Sequence, residues 1–206
     1  YNKILTEFAI NRYFQNCLIM DQLLLDIHKP AKKTIDNFVV GNNAECLNSL
    51  INFIEPSSPI FFIYLWGENG CGKSHLAEAV KRQNITVIDN IQNADKEEQI
   101  QIFNLYNKYK EEDKKLMVTG INSPKNMKLR DDLSSRLGWG LVYQLKGLSD
   151  IEKMLALEHH AKEKGMSLDS KIISYCINNL QRDLHTLIAT LDALDEWSLK
   201  TKKSIT

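Results

Sequence analysis

Short apolar runs alternate with amphipathic stretches along the middle of the chain. Ile60–Trp66 (IFFIYLW) is rich in aromatic and branched residues, the composition of a buried strand. Further runs at Ile85–Asp89, Lys115–Ile121 and Leu141–Leu145 predict three more strands. Helical patterns lie between them. Ser74–Lys81 puts Leu76, Ala79 and Val80 on one face, and Asp95–Glu112 spaces Ile100, Phe103, Leu105, Tyr106 and Tyr109 as an amphipathic helix does. A short helix over Leu47–Ile54 is closed by Glu55–Pro59. Strands alternating with helices predict an α/β fold with a parallel sheet.

After Ser149 the pattern is wholly helical. Ser149 is placed to cap a helix over Asp150–Lys164, with Glu152 at the capping-box position and Gly165 as the stop. A second helix is expected over Asp169–Asn179 and a third over Asp183–Lys200. The third carries Leu184, Leu187, Ile188, Leu191 and Leu194 on one stripe. Pro30 and the Lys32–Lys33 pair mark a linker. The expected organisation is an N-terminal extension over residues 1–33, a nucleotide-binding α/β domain over 34–147 and a small helical lid over 148–206.

Gly67-Glu68-Asn69-Gly70-Cys71-Gly72-Lys73-Ser74 fills the P-loop pattern between a strand and a helix. Gly67, Gly70 and Gly72 let the backbone curl around an anion, so that its N–H groups and the helix N-terminus face phosphates. Lys73 is placed to reach the β- and γ-phosphates of ADP or ATP, and the Ser74 hydroxyl to ligate Mg²⁺. Val87-Ile88-Asp89, a strand ending in an acid, is the expected second half of such a site, with Asp89 holding the Mg²⁺ shell. P-loop ATPases with a lid usually follow that acid with another that polarises the attacking water. Here the residue is Asn90, and an amide cannot take a proton from water near neutral pH. Slow or negligible intrinsic hydrolysis is expected.

Arg136 ends a short helix in Leu133–Gly140. Two readings stay open for it. It projects toward the γ-phosphate held by a neighbouring subunit, acting in trans, or it is a surface arginine paired with Asp131 or Asp132. In Gln22-Leu23-Leu24-Leu25-Asp26-Ile27 a glutamine leads a cluster of aliphatics that lies outside any amphipathic helix. It reads either as a docking segment or as an element packed on the domain.

Composition narrows the classes. Apolar residues make up 43% and charged residues 25%, which suits a soluble protein with a core, while 26 basic and 26 acidic residues give no net charge. With the basic residues dispersed, no direct, sequence-specific DNA binding is expected from charge. The four cysteines, Cys17, Cys46, Cys71 and Cys176, form no C-x-x-C pair and suit reduced thiols in the cytoplasm. His159-His160 reads as solvated surface. No segment is apolar enough to span a membrane, and the first twenty residues do not have the form of a signal peptide. Met20 is taken as the natural start, with residues 1–19 upstream of it.

Together these segments resemble the AAA+ domain of the bacterial replication initiator DnaA, and more closely its shorter homologues of the Hda family. The likeness runs from Asp21 to the C-terminus. It rests on Gln22–Ile27, Asp36–Asn42, Tyr64–Glu68, Val87–Ile91, Ser135–Gly140 and Thr186–Leu194. Ile88-Asp89-Asn90-Ile91, the glutamine-led tail and a chain that stops just after the lid favour the Hda branch.

The resemblance implies a regulator that inactivates DnaA. Gln22, Leu23, Leu25 and Ile27 would enter the groove of the DNA polymerase III sliding clamp, and Arg136 would act as an arginine finger on ATP held by DnaA. ADP or ATP would be held rather than turned over, and self-association as a homodimer stays open. His185 stands where the family has a lid arginine that reaches the phosphates, with Arg182 about a turn away. Ile121 stands where a polar sensor residue is common, and Asn122 follows it. A strand–helix pair usual in AAA+ domains is missing before Asp89, which predicts four core strands rather than five. The alternatives are a DnaC-like helicase loader with true ATPase activity and an interaction protein with a vestigial P-loop.

Overall fold

The structure, a computed structural model, describes residues 32–166, 168–180 and 183–201. Cys17, Met20, Gln22–Ile27 and Arg182 lie outside the described residues. In chain order the elements are α1 (Ala44–Ile54), β1 (Phe62–Trp66), α2 (Lys73–Lys81), β2 (Thr86–Ile88), α3 (Lys96–Glu111), β3 (Leu116–Gly120), α4 (Asp131–Leu137), β4 (Leu141–Gln144), α5 (Asp150–Glu163), α6 (Ser170–Asn179) and α7 (Leu184–Thr201).

The four strands form one parallel sheet in the order β2-β3-β1-β4, the strand number expected from the sequence. β1 pairs with β3 from Phe62–Leu116 to Trp66–Gly120 and with β4 from Ile63–Leu141 to Trp66–Gln144. The two central strands are covered on both faces, so FIYLW and LMVTG read as runs without alternation. Successive side chains still point to opposite faces. Ile63, Leu65 and Met117 pack with Leu50 and Phe53 of α1 and with Leu76 and Val80 of α2. Phe62, Tyr64, Leu116 and Val118 pack on the other face with Tyr106 of α3 and with Leu133 and Leu137 of α4. The P-loop helix and the helix carrying Arg136 therefore lie on opposite faces of the sheet.

A third apolar cluster belongs to the lid helices, with Leu157 from α5, Ile173, Cys176 and Ile177 from α6, and Leu187 and Leu191 from α7. Leu184, Ile188 and Leu194 pack against it, so the predicted stripe is the buried face of α7. Ser149 and Glu152 form the expected reciprocal capping box on α5, and Asp95 and Glu98 form another on α3.

Three readings change. Ile100 is 43% exposed, while its neighbour Gln99 is buried, because both ends of the Gln99 amide are satisfied. Its Nε2 donates to the Ala94 carbonyl, and its Oε1 accepts from the Arg130 N–H. His160 is not solvated surface. Its Nε2 lies 2.7 Å from Asp192 Oδ1, joining α5 to α7, whereas His159 does remain exposed. Helix α1 begins three residues early because Asn43 anchors it. The buried amide of Asn43 donates to the Lys146 carbonyl and accepts from the Lys146 N–H, tying the helix start to the end of β4.

Candidate functional site

The loop from Gly67 to Gly72 leaves the C-terminal end of β1 and runs into α2. Gly70 and Gly72 have φ of +79° and +99°, the left-handed region that side chains resist. A Cβ on Gly72 would lie 2.7 Å from the Phe38 ring, and one on Gly67 would lie 2.3 Å from the Leu145 carbonyl oxygen. Among the described residues, the N–H groups of Gly70, Gly72, Lys73 and Ser74 have no acceptor. These free donors and the start of α2 make a concave, electropositive cradle for an anion.

Lys73 is buried, and its Nζ donates to the Gly67 and Glu68 carbonyls, both at 2.8 Å. A buried ammonium needs such partners. Phosphate oxygens arriving in the loop would offer charged acceptors in place of neutral ones, and the bonds would strengthen. Ser74 is exposed on the first turn of α2.

Asp89 follows β2 and is exposed. Thr119, fully buried on β3, donates from Oγ1 to Asp89 Oδ1 at 2.5 Å and accepts from the Asn90 N–H at 2.9 Å. Asn90 itself is left-handed, at φ 58°, and its Oδ1 accepts from Gln92 Nε2. Gly120, which follows Thr119, gives its carbonyl to the Gly67 N–H at 3.3 Å. The end of β3 thus joins the acidic strand to the glycine loop. Ile121 is partly exposed, while the Asn122 carbonyl accepts from the Tyr64 hydroxyl at 2.7 Å. Sequence reasoning missed Thr119. The signal was a lone polar side chain near the end of a buried strand.

The segment before α1 covers one flank of the loop. His75 Nε2 lies 2.8 Å from the Thr34 carbonyl, and since a carbonyl can only accept, that nitrogen carries the proton. Burial lowers the His75 pKa from its ordinary value. The Thr34 hydrogen bond opposes this, and the charges of Lys33 and His185 add to it. Phe38 packs edge-on against His75, with 5.5 Å between centroids.

The lid closes the other flank. Asp183 caps α7 through the N–H groups of His185 and Thr186 and through the Thr186 hydroxyl. A Cβ on Gly70 would meet the Asp183 Cβ at 3.8 Å, so the start of α7 borders the glycine loop. Gly67, Gly70, Gly72, Lys73, Ser74 and Asp89 are brought to one end of the sheet, and Asp183, two residues before His185, lies against the loop. Among the described residues no cluster of three His, Cys, Asp or Glu could hold a metal by itself. Ser74 and Asp89 carry oxygen donors, the type that a Mg²⁺ arriving with phosphate oxygens takes.

Arg136 lies elsewhere, in the layer of α3 and α4. Its guanidinium carbon is 3.7 Å from the centroid of the Trp139 ring and 4.9 Å from that of Phe103, while Nε donates to Asn107 Oδ1 at 3.1 Å. Pairing with Asp131 or Asp132 is not seen, since Asp132 pairs with Arg130 at 2.7 Å. Both terminal nitrogens of Arg136 are without a partner among the described residues. The stacking and the Nε bond hold the guanidinium plane and leave its outer donors uncommitted.

Residues 150–206 match the family model described as Hda, lid domain, and residues 78–144 match that of the bacterial DnaA ATPase domain. A Haemophilus influenzae relative, described as an uncharacterized protein, is 31% identical over 220 residues, spanning 90% of this chain and 94% of its own length. The chain belongs to the Hda/DnaA-related AAA+ family. Solved structures agree on the fold. Domain III of Thermotoga maritima DnaA superposes with a TM-score of 0.71 at 16% identity, covering 85% of this chain and 92% of that one. AMPPCP-bound DnaA from Aquifex aeolicus gives 0.65 at 21% identity, covering 81% and 67%. This is a family of DnaA-related replication regulators. No described helix is long and apolar enough to cross a membrane.

Proposed function

We propose that this Hda/DnaA-related chain is a negative regulator of chromosomal replication initiation. It holds ADP or ATP, docks on the DNA polymerase III sliding clamp and stimulates ATP hydrolysis by DnaA. The observation that carries the reading is Arg136, with its plane fixed by Trp139 and Asn107 and its terminal nitrogens unused. A guanidinium held ready in this way can stabilise charge building on a phosphoryl group in another subunit without reorganising first. A finger in trans contributes about 10³–10⁵ in rate.

The chain's own nucleotide has a separate role. Lys73 and the loop N–H groups would bind the phosphates, Ser74 and Asp89 would hold Mg²⁺, and His185 would reach the site from the lid. The bound polyphosphate supplies the negative charge that draws loop and lid together. Asn90 provides no carboxylate to orient water, so the nucleotide organises the protein and is turned over slowly. The DnaA of Aquifex aeolicus, with the same fold, is described as bound to AMPPCP, which supports a nucleotide here. In the tail, Gln22, Leu23, Leu25 and Ile27 supply the clamp contact, and tethering there raises the local concentration near DnaA.

The test is hydrolysis of ATP bound to the cognate DnaA, with DNA-loaded clamp, with and without this protein. Stimulation that falls when Gln22→Ala removes the tail contact is the expected result. A steady-state turnover by the isolated chain of about one per second or more would instead mark it as an ATPase of the helicase-loader kind.

A further inference from the structure

Lys110 of α3 shares the Trp139 ring with Arg136. Its Nζ lies 4.3 Å from the ring centroid, against 3.7 Å for the guanidinium carbon. The two cations are therefore no farther apart than about 8 Å, roughly one Debye length at physiological salt. Neither pairs with a carboxylate among the described residues, although Lys33, Arg82, Lys108, Lys114, Arg130, Lys153, Lys164 and Lys200 all do. Trp139 is itself 40% exposed, so this cation–indole–cation arrangement sits at the surface. Like charges held together with no counter-charge favour an anion brought by another molecule.

The geometry points to Lys110 as a second cation of the surface that receives a partner's nucleotide. Arg136 and Lys110 together would meet the polyphosphate of a nucleoside triphosphate held by another AAA+ molecule, and Trp139 would position both. This rests on the reading of Arg136 as a group acting in trans. The two cations divide the work. Arg136, with a planar fork of donors, acts on the transferring phosphoryl, while Lys110, a point charge on a flexible stem, adds attraction in the encounter. Removing Lys110 should weaken association and its salt dependence more than the maximal rate.

The experiment titrates this protein against ATP-loaded DnaA with DNA-loaded clamp, at two salt concentrations, and reads hydrolysis. The variants are Lys110→Ala, Lys110→Arg, Trp139→Leu, Trp139→Phe and Arg136→Ala. For Lys110→Ala the half-saturating concentration should rise about threefold or more at low salt, with a shallower salt slope. Lys110→Arg should retain activity, and Trp139→Phe should restore part of what Trp139→Leu loses. A Lys110→Ala curve that overlays the wild type at both salts, while Arg136→Ala is inactive, overturns the role of Lys110 and leaves the finger standing. Full stimulation by Arg136→Ala overturns the reading on which both depend. Circular dichroism of each variant separates these results from misfolding.

Discussion

Thr119→Val tests whether the end of β3 holds the site together. Valine keeps the shape of threonine and replaces its hydroxyl with a methyl. Two hydrogen bonds are lost, the 2.5 Å bond to Asp89 Oδ1 and the 2.9 Å bond from the Asn90 N–H. Asp89 is exposed, so its carboxylate regains water, and that side costs about 0.5–1.5 kcal/mol. The Asn90 N–H would face a buried methyl with no acceptor, at about 1–3 kcal/mol. The total is roughly 1.5–4.5 kcal/mol, a fall in Tm of about 3–18 °C for a chain of this size. Thr119→Ser keeps the hydroxyl and loses one buried methyl, at about 1 kcal/mol. The assay is thermal unfolding by circular dichroism, paired with ATP-analogue titrations with and without Mg²⁺. Serine should be the more stable variant, and valine should lose the larger share of the Mg²⁺-dependent affinity. If valine unfolds at or above the temperature of serine, the hydroxyl is not a structural partner of this site and the reasoning fails.

Lys73→Ala should abolish binding of a fluorescent ATP analogue while leaving the far-ultraviolet spectrum unchanged; retained micromolar affinity would refute the cradle. Gly72→Ala must hold φ +99° and displace Phe38, so a loss of about 1–3 kcal/mol in denaturant unfolding is expected. Asp192 is partly buried, which would raise its pKa, but hydrogen bonds from His160 and Lys164 hold it below the usual carboxylate range. A lowered folded-state pKa contributes stability that is present above the unfolded value, about 3.9, and lost as pH falls through the folded one. Unfolding followed from pH 6 to pH 2 should therefore show less acid-dependent loss in Asp192→Asn than in wild type. Burial, with the nearby Cys71 and Glu45 adding to it, pushes the Cys46 thiol up to about 12, so an alkylating reagent at pH 8 should label Cys46 only after unfolding, as peptide mapping would show.

The central strands were legible because burial on both faces forces continuous apolar runs, and β1 to β4 each lie within a predicted segment. The cap of α5 was legible because Ser149 with Glu152 is a local pattern. Contacts set by tertiary packing were not. Gln99 is buried in place of Ile100 only because the Ala94 carbonyl and the Arg130 N–H happen to face it. Asn43 reaches Lys146 across more than a hundred residues of sequence, and Thr119 reaches Asp89 across thirty. The P-loop announced itself by spacing, since its chemistry is largely backbone. Arg136 was ambiguous in sequence, because neighbouring aspartates offered a local partner. Its packing against Trp139, Phe103 and Asn107 needed the fold.

Whether Arg136 serves another molecule's nucleotide is decided by single-turnover hydrolysis of ATP on the cognate DnaA. The reaction would contain DNA-loaded clamp and either the wild-type chain or Arg136→Ala, with nucleotide binding and clamp binding of both proteins confirmed beforehand. The wild type should accelerate hydrolysis and Arg136→Ala should not, although it still binds both. Equal acceleration by the two proteins would contradict it and return Arg136 to a structural role beside Trp139.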